Sequence, residues 1–252
     1  LYPKGPLIVA LGGTDVNTFL KTDPEVTLKS METANALVCL HDLIGTALPK
    51  HLRKKLHVIK QSASPLPGPR KPTSRHFDVC IIGHLREEKD PMRAALAARL
   101  LPERSRLRVI HLGKAHNQAF AKAAQKEMAT NPRYIWKGEV PAWRVRREYA
   151  RTQAMVITSN QEGGANVVSE AIAAGVPVIA SDIDGNIGLL GKDYAGFYPV
   201  QDEAALADVL WRAENEAKFL KELTRQTKKL RPLFLAKHEA KGWVDVVETV
   251  CR

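Results

Sequence analysis

Two glutamates flank a double-glycine turn in the second half of the chain. Seven residues separate Glu162 from Glu170, and Gly163 and Gly164 follow the first glutamate directly. Because glycine has no side chain, the backbone at such a turn can approach a ligand closely. A helix predicted to begin near Asn166 directs its free amide groups and the positive end of its dipole at the same point. The pattern therefore favours a bound phosphate beside two carboxylates.

The two carboxylates suit a phosphate that carries a sugar. Glu162 on the loop can accept hydrogen bonds from sugar hydroxyls, and Glu170, one turn into the helix, can hold a vicinal diol such as a ribose. The alternative is an ordinary turn with a solvated Glu170, which is the usual state of an isolated glutamate. Here a predicted strand precedes the turn, and Gly175 and Pro177 end the helix before another predicted strand. That order is typical of a ligand-binding turn.

A second loop, residues 83–91, concentrates positive charge after another predicted strand. It contains Gly83, His84, Arg86 and Lys89. Lys89, Arg86 and His84 are side chains that can bind an anion at such a place. For Arg86 taken alone, a solvated charged turn that opens a helix is an equally good interpretation.

Composition narrows the class of protein. The chain has 252 residues, 44% of them hydrophobic, which suits one large or two modest domains. Its formal net charge is +11, but the basic residues are spread along the chain without a nucleic-acid motif, so we expect phosphate-bearing ligands rather than nucleic acid. No apolar run approaches the roughly 20 residues that span a bilayer. Three cysteines without metal-ligand spacing favour a reducing, cytoplasmic location.

The elements that must position these residues alternate between strand and helix, which is typical of an α/β fold with parallel sheets. Strands are predicted at residues 7–11, 36–40, 57–60, 77–83, 107–113, 134–138, 154–159, 177–181 and 196–200. Helices are predicted at residues 24–34, up to 55, 117–130, 143–152, 166–174 and 203–216. We expect two Rossmann-like domains that face each other across a cleft.

The predicted division of the chain follows from composition. Residues 62–75 contain four prolines and one glycine without hydrophobic periodicity, which indicates an interdomain linker. Residues 1–61 are then the C-terminal part of a first Rossmann-like domain, because three strands are few for a free-standing sheet and the domain is expected to be N-terminally incomplete in this chain. Residues 76–234 form the second domain, and residues 235–252 form a helix that crosses back to the first.

The segment from Glu162 to Glu170 resembles the E-x7-E region of glycosyltransferase family four, whose members have the GT-B fold and use nucleotide-sugar donors. The resemblance implies that residues 76–234 bind the donor, with Glu170 on its ribose and Glu162 near the transferred sugar. It also implies that Lys89 and an arginine bind the diphosphate, although His84 stands where the family has that arginine. The predicted catalytic residues are Lys89, Glu162, Arg86 and His84. The predicted donor-binding and cleft residues are Gly83, Gly163, Gly164, Ala165, Asn166, Val167, Glu170, Thr14 and Asp15.

Further motifs resemble a narrower group, the selenosugar synthases of selenoneine biosynthesis (the SenB type), over nearly all of the chain. They are Gly13-Thr-Asp15, Gly83-His-Leu-Arg-Glu-Glu-Lys-Asp-Pro91, Val109-Ile-His-Leu-Gly113, Gly138-Glu-Val140, Trp143-Arg-Val-Arg146, and Ser181-Asp-Ile-Asp-Gly-Asn-Ile-Gly-Leu-Leu-Gly191. This resemblance implies a UDP-sugar donor, UDP-N-acetylglucosamine or UDP-glucose, and selenophosphate as the acceptor, with a 1-seleno-sugar as the product. Residue types and spacing by themselves indicate donor binding only.

The loop at residues 12–15 bears on the acceptor. Many family-four enzymes have a histidine near the sugar in a His-Gly-x-Asp-like loop, and Gly12 stands at that place here. An acceptor that is already anionic and nucleophilic, such as selenophosphate, depends less on a general base than a hydroxyl does. Thr14 and Asp15 can line the acceptor side, or Asp15 can cap its own loop. His111 could face the cleft, although packing histidines are commoner.

Alternatives remain at this level. An ordinary family-four transferase would use a hydroxyl acceptor, a non-catalytic binder would hold the nucleotide sugar without turnover, and a sugar-nucleotide 2-epimerase would need no acceptor. We expect no required cofactor or metal, since Asp182 and Asp184 have the spacing of a metal pair but are interpreted as loop residues. The tryptophans are interpreted as packing anchors.

Overall fold

The structure is a computed structural model, and within the residues 5–251 that it describes the chain forms two parallel sheets. The strands are β1 Ile8–Ala10, β2 Ala36–Cys39, β3 Leu56–Val58, β4 Phe77–Ile82, β5 Leu107–Leu112, β6 Tyr134–Trp136, β7 Ala154–Ile157, β8 Val178–Ser181 and β9 Phe197–Tyr198. The predicted first domain begins at residue 1 and the predicted C-terminal segment ends at residue 252. Residues 1–4 and 252 lie outside the described part of the chain. The predicted α/β class with two Rossmann-like units is confirmed.

The helices lie between and after these strands. They are α1 Leu20–Thr22, α2 Pro24–Thr33, α3 Ile44–Ala47, α4 Arg93–Leu100, α5 Gln118–Thr130, α6 Ala142–Arg151, α7 Asn166–Ala174, α8 Asp184–Leu190, α9 Glu203–Asn215, α10 Ala217–Leu230 and α11 Ala236–Val250. Shorter helical turns are the π-turn Asp15–Phe19 and the 3-10 turns Arg53–Lys55, Glu87–Lys89 and Arg231–Phe234. None of the described helices is long and apolar enough to cross a membrane.

The second sheet has the strand order β6-β5-β4-β7-β8-β9, and every pairing is parallel. Its connections run one way from β4 to β6 and the other way from β7 to β9, so the switch point lies between β4 and β7. Ligands of open α/β sheets bind in the crevice beyond the strand ends at such a point. The chain therefore brings the loops after β4 and β7 to the place where the fold favours a ligand.

The first sheet has the order β1-β2-β3, also parallel, with β2 buried along its whole length. One face packs on a cluster that includes Val16, Met31 and Ile44. On the other face, Val246 of α11 joins a buried cluster with residues of β2 and with Ile59. The C-terminal helix thus packs against the first sheet. The division of the chain at residues 61 and 75 remains a prediction.

One local prediction in the first unit was wrong. The helix expected up to Lys55 is replaced by α3 and a 3-10 turn, because Pro49 lacks an amide and disfavours helix in the residue before it. The side chain of Asp23 does not cap α2. Its carbonyl instead accepts hydrogen bonds from the amide and the hydroxyl of Thr27, at 3.1 and 2.8 Å.

The two units meet at a direct contact between the backbone of Gly13 and the backbone of Gly163, with no side chain between them. A Cβ at Gly163 would lie 2.3 Å from both the nitrogen and the Cα of Gly13. Nearby, the Lys60 ammonium donates to the carbonyl of Gly188 at 2.8 Å. The loop after β1 and the loop after β7 can therefore touch only because both positions are glycine.

We predict that Gly163→Ala separates these loops. The added methyl has no space, so the closed arrangement should lose about 1–3 kcal/mol, as overpacked sites do. Small-angle X-ray scattering should show a larger radius of gyration than that of the unmodified chain. Gly68→Ala is the matched control, because nothing lies within 4 Å of its added Cβ. An unchanged scattering curve for Gly163→Ala would contradict the contact.

Candidate functional site

The crevice at the switch point is a cavity of about 420 Å³, here called the switch-point cavity. Its lining comes from the ends of β4, β5, β6 and β7 and from the start of α7. The lining residues are Ile82, Gly83, His84, Arg86, Lys89, Leu112, Gly113, Glu139, Val140, Val145, Glu162, Gly164, Ala165, Asn166 and Val167. Nine predicted site residues from two distant loops are therefore gathered around one space.

Helix α7 begins at this cavity without a side-chain cap. Its first residue is Asn166, which follows Ala165. Gly164, just before them, has a φ of +113°, which residues with a side chain rarely adopt. The first amides of the helix thus remain available to an anion, and the helix dipole favours one. At the other end Gly175 adopts the left-handed conformation that ends the helix, as its position in the sequence predicted.

Lys89 and Glu162 form an ion pair between the two loops. The same carboxylate oxygen, Oε1 of Glu162, accepts a hydrogen bond from the Ser159 hydroxyl at 2.7 Å. The Thr158 hydroxyl donates to the carbonyl of Lys89 at 2.8 Å and to that of Asp90 at 2.9 Å. Both side chains of the pair are mostly buried, so each depends on its partner for charge compensation.

Arg86 and His84 occupy the wall on the β4 side. The Nε of Arg86 lies 3.0 Å from Oε1 of Glu88, although the contact is not aligned as a hydrogen bond, and this nitrogen is buried. The Lys114 amide donates to Nδ1 of His84 at 3.1 Å, so the neutral ring carries its proton on Nε2. Two cationic or hydrogen-donating groups thus accompany Lys89 at the cavity.

Glu170 faces an adjoining cavity of about 410 Å³, the Glu170 cavity, which shares Ile82, Val145, Asn166 and Val167 with the first. The Tyr149 hydroxyl donates to Oε2 of Glu170 at 3.3 Å, and Nδ2 of the Asn166 side chain donates to Oε1 at 3.2 Å. Burial raises the pKa of Glu170, while the Tyr149 hydroxyl and the charge of Arg146 oppose that rise. Tyr149 and Asn166 therefore orient the carboxylate and favour its ionised form.

A third cavity of about 330 Å³, the inter-sheet cavity, lies between the loop after β1 and the loop after β7. Its lining residues are Gly12, Gly13, Thr14, Asn17, Leu40, Arg86, Glu88, Lys89, Gln161, Glu162, Gly163 and Gly164. Asp15 is not among them, because its carboxylate accepts a hydrogen bond from the Gly12 amide at 2.7 Å. Thr14 thus lines a cavity, whereas Asp15 caps its own loop.

His111 does not face the space between the sheets. It is 1% exposed, and Nδ1 lies 3.0 Å from the Tyr134 hydroxyl while Nε2 lies 3.2 Å from the carbonyl of Gly83. Since a carbonyl only accepts, Nε2 carries the proton. Burial lowers the pKa of His111 to about 4, so the ring stays neutral and holds the Gly83 turn in place.

His41 follows β2 and lies against Gly188, where a Cβ would approach it within 2.4 Å. Its ring is buried, and neither nitrogen has a hydrogen-bond partner within the described residues. Burial and the charge of Lys60 lower its pKa. His41 therefore packs where the two units meet and is absent from the lining of the three cavities.

Several lining residues were missed by sequence reasoning. Glu139, Val140 and Val145 line the switch-point cavity, and Tyr149 lines the Glu170 cavity. The Gly138-Glu-Val140 motif was visible and could have been placed here, since it follows a strand next to β5. Nothing in the sequence connects Tyr149 to Glu170. Trp143, predicted to be a packing anchor, is 58% exposed.

The described residues hold no group of three or more His, Cys, Asp or Glu side chains placed to bind a metal ion. Asp182, one of the two aspartates with metal-pair spacing, accepts a hydrogen bond from the Val200 amide at 3.0 Å. Asp184 begins α8. Independence of the site from metal remains a prediction.

Comparison with known proteins identifies the family. Residues 69–230 match the family model of the glycosyl transferases group 1. The chain belongs to this family. The match covers the whole second sheet and the loops that line the switch-point cavity.

Individual relatives are more distant. TuaC of Bacillus subtilis (strain 168), named as a teichuronic acid biosynthesis glycosyltransferase, is 35% identical over 91 residues, which is 36% of this chain and 23% of TuaC. The glycosyltransferase 1 domain-containing protein 1 of Xenopus tropicalis is 24% identical over 76% of this chain and 61% of its own length. The matched part therefore spans less than two thirds of either relative.

Solved structures show the same fold at low identity. HepE of Anabaena, in complex with UDP, superposes with a TM-score of 0.82 at 16% identity, covering 97% of this chain and 72% of HepE. The pneumococcal O-GlcNAc transferase GtfA, in complex with UDP and GlcNAc, gives a TM-score of 0.76 at 18% identity over 97% of this chain and 52% of GtfA. The chain therefore has the two-domain GT-B architecture and shares its fold with these structures.

We predict that Tyr149→Phe raises the pKa of Glu170 further. The substitution removes a hydrogen bond that stabilises the ionised carboxylate and leaves the burial that disfavours it. In a carbon-13 NMR titration, the Glu170 carboxyl should therefore ionise at higher pH than in the unmodified chain, with Glu170→Ala identifying its resonance.

Tyr198→Phe is the matched control for this titration. The Tyr198 hydroxyl lies 3.4 Å from the carbonyl of Ile157 and has no contact with Glu170. An equal pH midpoint in all three proteins would show that Tyr149 does not support the charge of Glu170.

Proposed function

We propose that the chain forms the donor site of a glycosyltransferase that uses a UDP-sugar. The observation that carries this proposal is the junction of the switch-point and Glu170 cavities, where the uncapped start of α7 stands between the Lys89 loop and Glu170. A diphosphate suits the helix start and Lys89, and a ribose diol suits the oriented carboxylate of Glu170. Relatives of the same fold hold UDP with glucose or with GlcNAc, which supports UDP-glucose or UDP-N-acetylglucosamine here.

The residues divide the work of such a transfer. When the bond between the sugar C1 and the diphosphate oxygen breaks, its electron pair stays on the diphosphate. Lys89, Arg86 and the first amides of α7 would meet that growing charge, which is where electrostatic stabilisation accelerates a reaction. Glu162, held by Lys89 and Ser159, would lie beside the sugar.

For the acceptor we propose selenophosphate, which would attack C1 through selenium and displace UDP. Water would then cleave the Se–P bond of the resulting selenophosphorylated sugar, which releases phosphate and a 1-seleno-sugar. The resemblance to selenosugar synthases suggests it, and the inter-sheet cavity supports it. That cavity is lined by Arg86 and Lys89, and its lining includes no histidine. An acceptor that is already anionic is attracted by these cations and needs no proton removed before it attacks.

A hydroxyl acceptor is the second candidate. The observation in its favour is Glu88, a carboxylate that lines the same cavity and could serve as a general base. Glu88 lies beside Arg86, and Glu162, the other carboxylate of the lining, is paired with Lys89. Both carboxylates are therefore already in contact with a cation.

We predict different effects for the two ends of the donor site. Glu170→Ala should weaken UDP binding by about 1.5–3 kcal/mol, the value of hydrogen bonds to a charged group. Lys89→Ala should lower kcat more than it raises KM, because its charge matters most when the leaving group develops. Calorimetry with UDP and steady-state kinetics measure these effects, and Glu248→Ala, remote in sequence on α11, is a control for Glu170→Ala. Unchanged UDP affinity in Glu170→Ala would remove Glu170 from the site.

We further predict the outcome of an acceptor screen on the full-length protein. UDP release from UDP-glucose and UDP-N-acetylglucosamine is measured with selenophosphate, thiophosphate, phosphate and simple sugars, each with and without EDTA. We expect a selenium-bearing sugar by mass spectrometry, with no loss of rate in EDTA. Steady turnover on a hydroxyl acceptor without any selenium-bearing product would favour the second candidate, and turnover without an acceptor would indicate an epimerase.

A further inference from the structure

We propose that the outer face of helix α6 holds a second anion-binding site, which takes a phosphate-bearing anion. The site is a cavity of about 320 Å³, here called the α6 pocket. Its lining residues are Leu112, Lys137, Val140, Trp143, Arg144, Arg147, Glu148 and Arg151. Four cationic side chains thus surround one space together with a single carboxylate.

The one carboxylate of the α6 pocket, that of Glu148, is already paired with a lysine. The Lys137 ammonium lies 2.9 Å from Oε2 of Glu148, so this pair leaves the three arginines without an acidic partner inside the pocket. Arg144 stacks on the Trp143 ring, with its guanidinium carbon 5.2 Å from the ring centroid. Arg147 and Arg151 make no side-chain ion pair or hydrogen bond within the described residues.

Arginines on α4 and α10, in contrast to those of the α6 pocket, have acidic partners. Arg99 pairs with Glu127 at 2.8 Å, and Arg225 pairs with Glu222 at 2.6 Å. Like charges that face one cavity repel one another and gain most from a ligand that carries several negative oxygens. The planar guanidinium fork matches phosphate oxygens in two-bonded geometry.

The α6 pocket is separate from the proposed donor site. Val145 and Tyr149 of the same helix line the switch-point and Glu170 cavities, whereas Arg144, Arg147 and Arg151 follow the other face at helical spacing. The two sites share only Leu112 and Val140 as a common wall. The inference therefore does not depend on what the donor site binds.

Two sources could supply the phosphate. One is a free phosphate or pyrophosphate, which the three arginines could enclose. The other is a phospholipid headgroup, for which Trp143 is suited because an exposed indole favours the interface of a bilayer. Both sources present the same chemistry to Arg147 and Arg151.

The test compares two double variants by isothermal titration calorimetry with pyrophosphate, in excess UDP. Arg147→Ala/Arg151→Ala removes the unpaired charges of the pocket. Arg104→Ala/Arg231→Ala removes equal charge from exposed positions elsewhere, and Arg104, like Arg144, stacks on a tryptophan, at 5.1 Å from the Trp211 ring centroid. We expect about tenfold or greater loss of affinity in the first variant, little change in the second, and partial retention in Arg147→Lys/Arg151→Lys.

A second arm identifies a lipid source. Sedimentation is measured with vesicles of phosphatidylglycerol and phosphatidylcholine, and with vesicles of phosphatidylcholine alone. Binding to the anionic vesicles that is lost in Arg147→Ala/Arg151→Ala and in Trp143→Ala indicates a headgroup, while binding of pyrophosphate alone indicates a free phosphate. The proposal is overturned if the unmodified chain binds neither probe, or if the two alanine double variants bind both probes equally. Circular dichroism melting curves confirm that each variant is folded.

Discussion

The reversal of strand connections between β4 and β7 is the constraint on which the candidate site depends. It leaves a crevice that no crossover helix fills, and both flanking strands end there with their backbone groups directed to the ligand side. The Lys89 loop and the Glu162 turn are 73 residues apart in sequence, yet their side chains meet at this crevice. Lys89, Arg86 and Glu162 owe their positions in the switch-point cavity to that topology.

Charge compensation explains why the unliganded crevice is stable. Lys89 and Glu162 are mostly buried, and each would carry an unfavourable desolvation energy without the other. Pairing removes that penalty, and the hydroxyls of Ser159 and Thr158 hold the two loops at the required spacing. A diphosphate that binds as proposed would then add to an ordered site, so little side-chain entropy would be lost on binding.

The fold could be predicted from the sequence where the residues that begin or end an element act locally. Helix α7 spans the predicted residues 166–174, because the glycine turn before it and Gly175 after it act through their own backbone angles. The helix predicted up to Lys55 was wrong because Pro49 lacks the amide that would continue α3. The candidate site residues Lys89 and Glu162 could be chosen because they lie in short motifs that follow predicted strands and resemble those of a known family.

The rest could not be predicted, since it depends on partners distant in sequence. Tyr149 meets Glu170 only after α6 and α7 pack side by side, and His111 is directed to Gly83 by the pairing of β5 with β4. Trp143 stays exposed because the apolar side of α6 is already covered by Val145 and Tyr149. In each case the residue type was compatible with several environments, and tertiary packing selected one.

Arg86 shows how the two proposed ligands could be coupled. Its side chain lines both the switch-point cavity and the inter-sheet cavity, and its buried Nε has an unaligned contact with Glu88. A guanidinium has donors in a fixed fork, so one group can contact the leaving diphosphate and an anionic acceptor at once. Such a bridge would bring two like-charged reactants together in one crevice, which their mutual repulsion otherwise opposes. The position of one arginine between the cavities thus relates the donor chemistry to an acceptor that carries negative charge.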